Sequence, residues 1–177
     1  MPTSFSSLSP SDAAVALRSF PRRFREASSA AVVDLDDEVD QDQIDEVANR
    51  PGTDGRSGID HVAAAAARVD AAGRTLRSVL VSPTRPIDEA LVTDDDGEPP
   101  THTGNLEHEL DHLDRACSGV ADQIESADAD QWLVTRPTTG SGAANPLEVV
   151  QATVGVTLDH LHSLERVLRE VRGRPRT

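Results

Sequence analysis

Six histidines and one cysteine are the residues of this 177-residue chain whose types and spacing could do chemistry. His108-Glu109-Leu110-Asp111-His112 fits H-E-x-x-H, in which two histidines one helical turn apart grip zinc and the glutamate serves as general base. At about 100° per residue, both rings point away from the leucine stripe of their own helix, toward solvent. A catalytic zinc needs a dry cavity and a third protein ligand, and Asp111 puts a charge where zinc-protease helices carry uncharged residues. The pair therefore reads as surface histidines, able to bind nickel or zinc adventitiously. His160 and His162 are two apart and cannot share one helical face. His160 flanks the apolar stripe of its helix, and His61 lies near the start of another, off the main stripe. For such lone histidines packing is the ordinary role. Cys117 falls on a core stripe and reads as a small hydrophobe. Being alone, it excludes an intramolecular disulfide and a cysteine-based zinc site. No G-x-S-x-G elbow, phosphate loop or dinucleotide fingerprint is present.

Four helical segments must position these groups, and no segment shows the period-two alternation of a strand. The first opens with Ser9 as N-cap, Pro10 at the first helical position and Asp12 in the first turn. Its stripe runs through Val15 or Leu17, then Phe20, Phe24 and Ala27, and Pro21 should kink it or divide it in two. The acidic stretch 34–49, with Val39, Ile44 and Val47, is a short helix or an ordered loop, and Arg50-Pro51-Gly52 then breaks the chain. The second helix, 58–81, sets Ile59, Val62, Ala66, Val69, Gly73, Leu76 and Leu80 three or four apart. That alanine-rich stripe permits close helix approach. The third, about 104–126, keeps strict spacing through Leu106, Leu110, Leu113, Cys117, Val120 and Ile124. The fourth starts at Asn145-Pro146-Leu147-Glu148, which combines N-cap, first-turn proline and acidic cap partner. It continues through Val150, Val154, Leu158, Leu161, Leu164 and Leu168 to Gly173 as C-cap. Trp132 should pack in the connection between the last two helices, over the end of the molecule. The connection 82–104 is too long for a hairpin and lets the second and third helices run parallel. The expected fold is all-α: a four-helix bundle with a long crossover between helices 2 and 3, forming one domain over 1–177 with frayed ends at 1–8 and 173–177.

The charge is lopsided. Thirty-one acidic residues against 17 basic give −14 with histidine neutral; every basic residue is arginine, and there are three Phe, one Trp and no Tyr. A nucleic-acid binder needs a basic stripe, and stacking readers need aromatics. Anionic lipid headgroups would repel this surface, and no apolar run is long enough to span a bilayer. The partners expected are therefore a small molecule or a protein, with no nucleic acid and no membrane, around a monomer or homodimer. The N-terminus lacks the basic and apolar regions of a signal peptide, so a cytoplasmic location is expected. Aspartate-rich acidity without lysine resembles the proteins of haloarchaea that accumulate salt, where screening removes the self-repulsion. A high-GC actinobacterium is the alternative source.

Three stretches carry a family resemblance that covers nearly the whole chain: AAVALRSFPRRFREA, RPGTDGRSGIDHVAAAAARV and NPLEVVQATVGVTLDHLHSL. Together they resemble the DinB-like superfamily of thiol-dependent transferases and mycothiol-dependent maleylpyruvate isomerases. The resemblance implies a divalent metal held by one histidine of helix 2 and two of the last helix, and open to substrate or a thiol cofactor. Position by position, His160 matches the last ligand, Val156 stands where its partner would be, and Ala65 (or Ala64, one register over) replaces the helix-2 ligand. Arg56 replaces the tryptophan of a Trp-Ser pair. His61, one turn before Ala65, could form a displaced pair with His160, whereas Asp159 should point elsewhere. The expectation is a bundle with an incomplete metal site, non-catalytic or metal-independent, binding a small molecule or partner in the cleft, with no cofactor. The alternative is a zinc- or nickel-dependent thiol transferase or hydrolase using His160 and His61. Ring nitrogens about 3–4 Å apart across the cleft would favour that alternative; rings on separate solvent faces would exclude it.

Overall fold

The computed structural model describes residues 7–30, 41–82, 84–93 and 100–172. Gly173, Val39 and the acidic runs at 34–40 and 94–96 lie outside them. The described chain is mostly helical, and none of its helices is long and apolar enough to cross a membrane.

Helix α1 spans Pro10–Ala30 and is capped as its sequence implies: the Ser9 hydroxyl accepts from Asp12 N at 3.2 Å and donates to the Asp12 carboxylate at 2.6 Å. Pro21 does not divide it; the helix runs through the proline. An interior proline costs about 3 kcal/mol. Phe20 and Phe24, both buried and stacked edge-on, each return roughly 1.5–3 kcal/mol on burial, enough to hold the turn. Leu17 is the core residue of the first turns, while Val15 is 70% exposed.

Helix α2, Gln41–Ala48, is the short helix that the acidic stretch allowed. Its main work is to hold the entry to helix α4, Leu106–Ser126. Asp45 accepts from Leu106 N at 2.9 Å and from the Asn105 amide at 3.1 Å, and the Asn49 amide donates to the Gly104 carbonyl at 2.8 Å. Gly104 sits at φ +79°, which a side chain would strain. Asn105 caps α4 by accepting from His108 N.

Helix α3, Gly58–Val81, begins with a full capping box: Ser57 accepts from Asp60 N, and Asp60 accepts from Ser57 N. Helix α5, Pro146–Arg172, starts from the reciprocal pair Asn145 and Glu148. Each of α1 and α3 packs against both α4 and α5. Contacts near the helix ends give the directions. Arg18 reaches Asp122 and Glu125 while Arg25 reaches Glu107 and Asp111, so α1 and α4 are antiparallel. Gln151 bonds the Leu8 carbonyl, and Ala27 lies beside Leu168, so α1 and α5 run parallel. His102, just before α4, bonds Asp60, and a Cβ on Gly73 would lie 3.0 Å from Val120, so α3 and α4 are parallel. The connection between α3 and α4 therefore returns along the molecule.

This connection and the one between α4 and α5 carry structure for which the sequence gives no signal. Strands β1 (Arg136–Pro137) and β2 (Ala143–Ala144) pair antiparallel between α4 and α5, and Ile87 bridges to Thr138 beside them. Ile87 N donates to the Pro137 carbonyl at 2.9 Å and Thr139 N to the Ile87 carbonyl at 2.8 Å. Pairs this short leave no periodic trace. Ile87, fully buried, pins the crossover to the α4–α5 connection, and Trp132 is buried in that connection as expected. Ile87→Ala should therefore cost about 2–5 kcal/mol in a urea melt, while Val81→Ala, at a site 84% exposed, stays within about 0.5 kcal/mol. Equal effects would show that the crossover is not anchored there.

Candidate functional site

The first turn of α3 meets the second half of α5 at close range. A Cβ on Gly58 would lie 3.1 Å from side-chain atoms of Leu164 and of Leu168, and one on Gly52 would lie 2.9 Å from Val167. Small residues at both points let the α3 backbone and the preceding loop sit directly on α5. His61 and His160 are consequently buried together, 4% and 3% exposed, with their Nδ1 atoms 3.3 Å apart and their rings tilted by 48°. The sequence placed His61 off the main stripe of its helix; the close approach buries it there all the same.

The loop 51–57 closes one side. Thr53 donates through N and Oγ1 to the Glu170 carboxylate, both at 3.0 Å. Arg166 donates to Asp54 Oδ2 at 2.6 Å, and Arg56 N donates to Asp54 Oδ1 at 3.0 Å. These bonds aim the Asp54 carboxylate at His61, with Oδ2 3.9 Å from Nε2, which is buried and makes no hydrogen bond. A cleft of about 300 Å³ opens here, lined by Asp54, Arg56, His61, Val156, Asp159, His160 and Ser163. Asp159, expected to point elsewhere, lines this cleft from its exposed edge.

Burial, then the neighbouring His160, pushes the His61 ring down to about 4, so it is uncharged at neutral pH. The Arg166 hydrogen bond holds Asp54 below the usual carboxylate range. Ring nitrogens 3.3 Å apart either share a proton or face a common cation. Two ligands each about 2.0–2.1 Å from a tetrahedral zinc lie about 3.3–3.4 Å apart, so the observed separation fits a two-nitrogen site. The orphaned His61 Nε2 fits it too, because a metal-bound imidazole carries its proton on the far nitrogen and turns it toward a carboxylate. A three-ligand centre does not fit: among the described residues no group of three or more His, Cys, Asp or Glu could hold a metal ion. One turn further into both helices stand Ala65 and Val156, buried and apolar, and Ala64 beside them is equally inert.

The other candidates separate from this cleft. The His108 and His112 side chains are exposed, as their spacing implied, but Glu109 between them is 5% exposed. Although burial opposes its charge, bonds from Thr103 N, His108 and Thr103 Oγ1 hold the Glu109 carboxyl below its ordinary range. It braces the turn before α4. His162 is exposed. The buried Cys117 thiol is pushed up to about 12 by desolvation, which suits a packing residue and no nucleophile. His102 escaped the sequence reading. Its Nδ1 accepts from Gly104 N at 3.1 Å, so Nε2 carries the proton donated to Asp60 at 2.9 Å. Nothing in Thr-His-Thr-Gly signals this contact across 42 residues.

Comparison of the chain with protein-family models, with curated proteins and with solved structures gave no match.

The His61 ring titrates near 6.5 when unfolded and near 4 in the fold, so the unfolded chain takes up the proton first as pH drops. Stability tied to the neutral ring is whole above about 6.5 and is lost as pH falls to about 4. In metal-free protein, the drop in stability from pH 7 to pH 4 should be larger for wild type than for His61→Ala, by on the order of 2–3 kcal/mol in urea melts. Parallel curves would mean that the ring titrates as it does in water. Asp54, Asp60 and Glu109, all held low, add losses below that window.

Proposed function

We propose that this chain is a DinB-like four-helix bundle, a cytoplasmic protein of a salt-accumulating archaeon, that binds a small molecule in the His61–His160 cleft with the help of a divalent cation held by the two histidines. The observation that carries the reading is the 3.3 Å separation of the two buried Nδ1 atoms. Helix order and direction support the bundle: α3 and α4 run parallel across a long connection, and α1 and α5 run parallel. Zinc or nickel would supply a positive charge that holds a thiolate or polarises a carbonyl. Two protein donors leave room for solvent and a ligand, and the apolar Val156 and Ala65 remove the other positions of a three-ligand catalytic centre.

A second reading has its own support in the absence of a third donor among the described residues. In it the histidines share a proton, and the cleft binds its ligand by hydrogen bonds from this pair and from Ser163, without a cation.

Untagged protein, stripped with a chelator and returned to molar KCl, should take up near-stoichiometric zinc, and His160→Ala should lose it. A double His108→Ala/His112→Ala variant should retain it. Zinc that persists in His160→Ala but vanishes in the double variant would assign the metal to the surface pair. No zinc in any form would leave the metal-free cleft.

A further inference from the structure

We infer that Asp54 is a positioning residue: its carboxylate, clamped by Arg166, fixes the His61 ring with the proton on Nε2 and so turns the Nδ1 lone pair toward His160 and the cleft. The inference rests on the reading of His61 and His160 as the ligand-binding pair.

A neutral imidazole carries one N–H, on either nitrogen, and the partner of one nitrogen decides what the other can do. His61 Nε2 is buried without a hydrogen bond and faces Asp54 Oδ2 at 3.9 Å. With the proton on Nδ1, the Nε2 lone pair would point at a carboxylate. With the proton on Nε2, the N–H dipole points at that charge. Low local polarity strengthens the preference.

The carboxylate cannot turn away. Arg166 holds Oδ2 at 2.6 Å and Arg56 N holds Oδ1 at 3.0 Å, while the adjacent Thr53 is tied to Glu170 through both N and Oγ1. Arg166 and Glu170 are one turn apart on α5, the helix that carries His160. One helix therefore supplies one histidine of the pair directly and orients the other through Asp54. At 3.3 Å from an acceptor on His61, His160 Nδ1 is the donor of the metal-free pair, and a cation held by both Nδ1 lone pairs would require that proton to pass to His160 Nε2 or to solvent. Arg166 also occupies the oxygen nearest the pair, so Asp54 acts through His61 and does not compete as a ligand.

The test is a long-range proton–nitrogen NMR correlation on metal-free, nitrogen-15-labelled protein at neutral pH, with zinc competition titrations on the same samples. Wild type should show His61 protonated on Nε2. Asp54→Asn should give a mixed or reversed tautomer and about 10–100-fold weaker zinc binding, and Asp54→Glu should restore most of both, all with unchanged helical circular dichroism. An Asn variant with the wild-type tautomer and zinc affinity would overturn the role of Asp54. So would wild type with the proton on Nδ1, a result that needs no variant to fold. If wild type binds no zinc yet Asp54→Asn still switches the tautomer, the positioning role stands and the proposed cation falls.

Discussion

A side chain at position 58 would run into Leu164 and Leu168, and the rest of the site depends on its absence. Gly58 is the first residue of α3, so the helix start lies on α5 at backbone distance. Glycine in a helix is ordinarily a loss of up to about 1 kcal/mol relative to alanine. Here that loss sits in the first turn, where Ser57 and Asp60 cap the exposed amides and offset it. The close approach does two things. It buries Leu164 and Leu168 against the α3 start, and it sets His61, one turn on, against His160 at the floor of the cleft. Gly52 repeats the device one step earlier, setting the loop on Val167. Two small residues thus permit the close approach that brings the histidines together.

Charge is handled by geometry more than by number. With no lysine, every cationic contact is a planar guanidinium, which can fork across two acceptors. Arg18 spans Asp122 and Glu125, and Arg25 spans Glu107 and Asp111, so α1 is stitched to α4 at two levels. These pairs are largely exposed and weaken as salt rises, so they fix which helix face meets which and add little stability. Arg68 works differently. Buried in α3, it donates to the carbonyls of Ala90, Leu91 and Thr93, the end of the short turn at 89–92. It satisfies carbonyls that the turn itself leaves open and ties the crossover to the helix it departs from. Arg136 does the same for the end of α3 through the Ser82 carbonyl.

Features that repeat along the chain were readable from sequence, and features that occur once were not. The stripes of α1, α3, α4 and α5 were legible because burial of one face imposes a period over five or more turns. Asn145 with Glu148, and Ser9 with Asp12, were legible because caps are local. Ser57 and Asp60 carried the same signal and went unread beside the more conspicuous glycines. Pro21 leaves α1 undivided because the two buried phenylalanines hold the turn around it. Ile87 with Thr138, His102 with Asp60, and Asp45 with Leu106 join residues 42 to 61 positions apart. Each rests on one or two hydrogen bonds between distant segments, and such contacts leave no periodic pattern in the chain. Glu109 shows the limit most plainly. In sequence it is the middle of a metal motif; in the fold its carboxylate faces inward to bond Thr103, and the motif's histidines lie outside.

The site itself was legible residue by residue but not as an arrangement. Antiparallel packing makes each step forward on α3 a step back on α5, so the register that sets Gly58 against Leu164 necessarily sets His61 against His160. One turn deeper, the same register sets Ala65 level with Val156, and that layer is apolar. Under the DinB-like reading, His160 keeps its ligand position and the α3 donor has moved one turn toward the helix start, from Ala65 to His61. The shift has a physical consequence. The pair at His61 and His160 lies beside the loop that carries Asp54 and opposite the turn that carries Arg166. Fewer protein donors are then matched by a charged group able to fix the orientation of one of them.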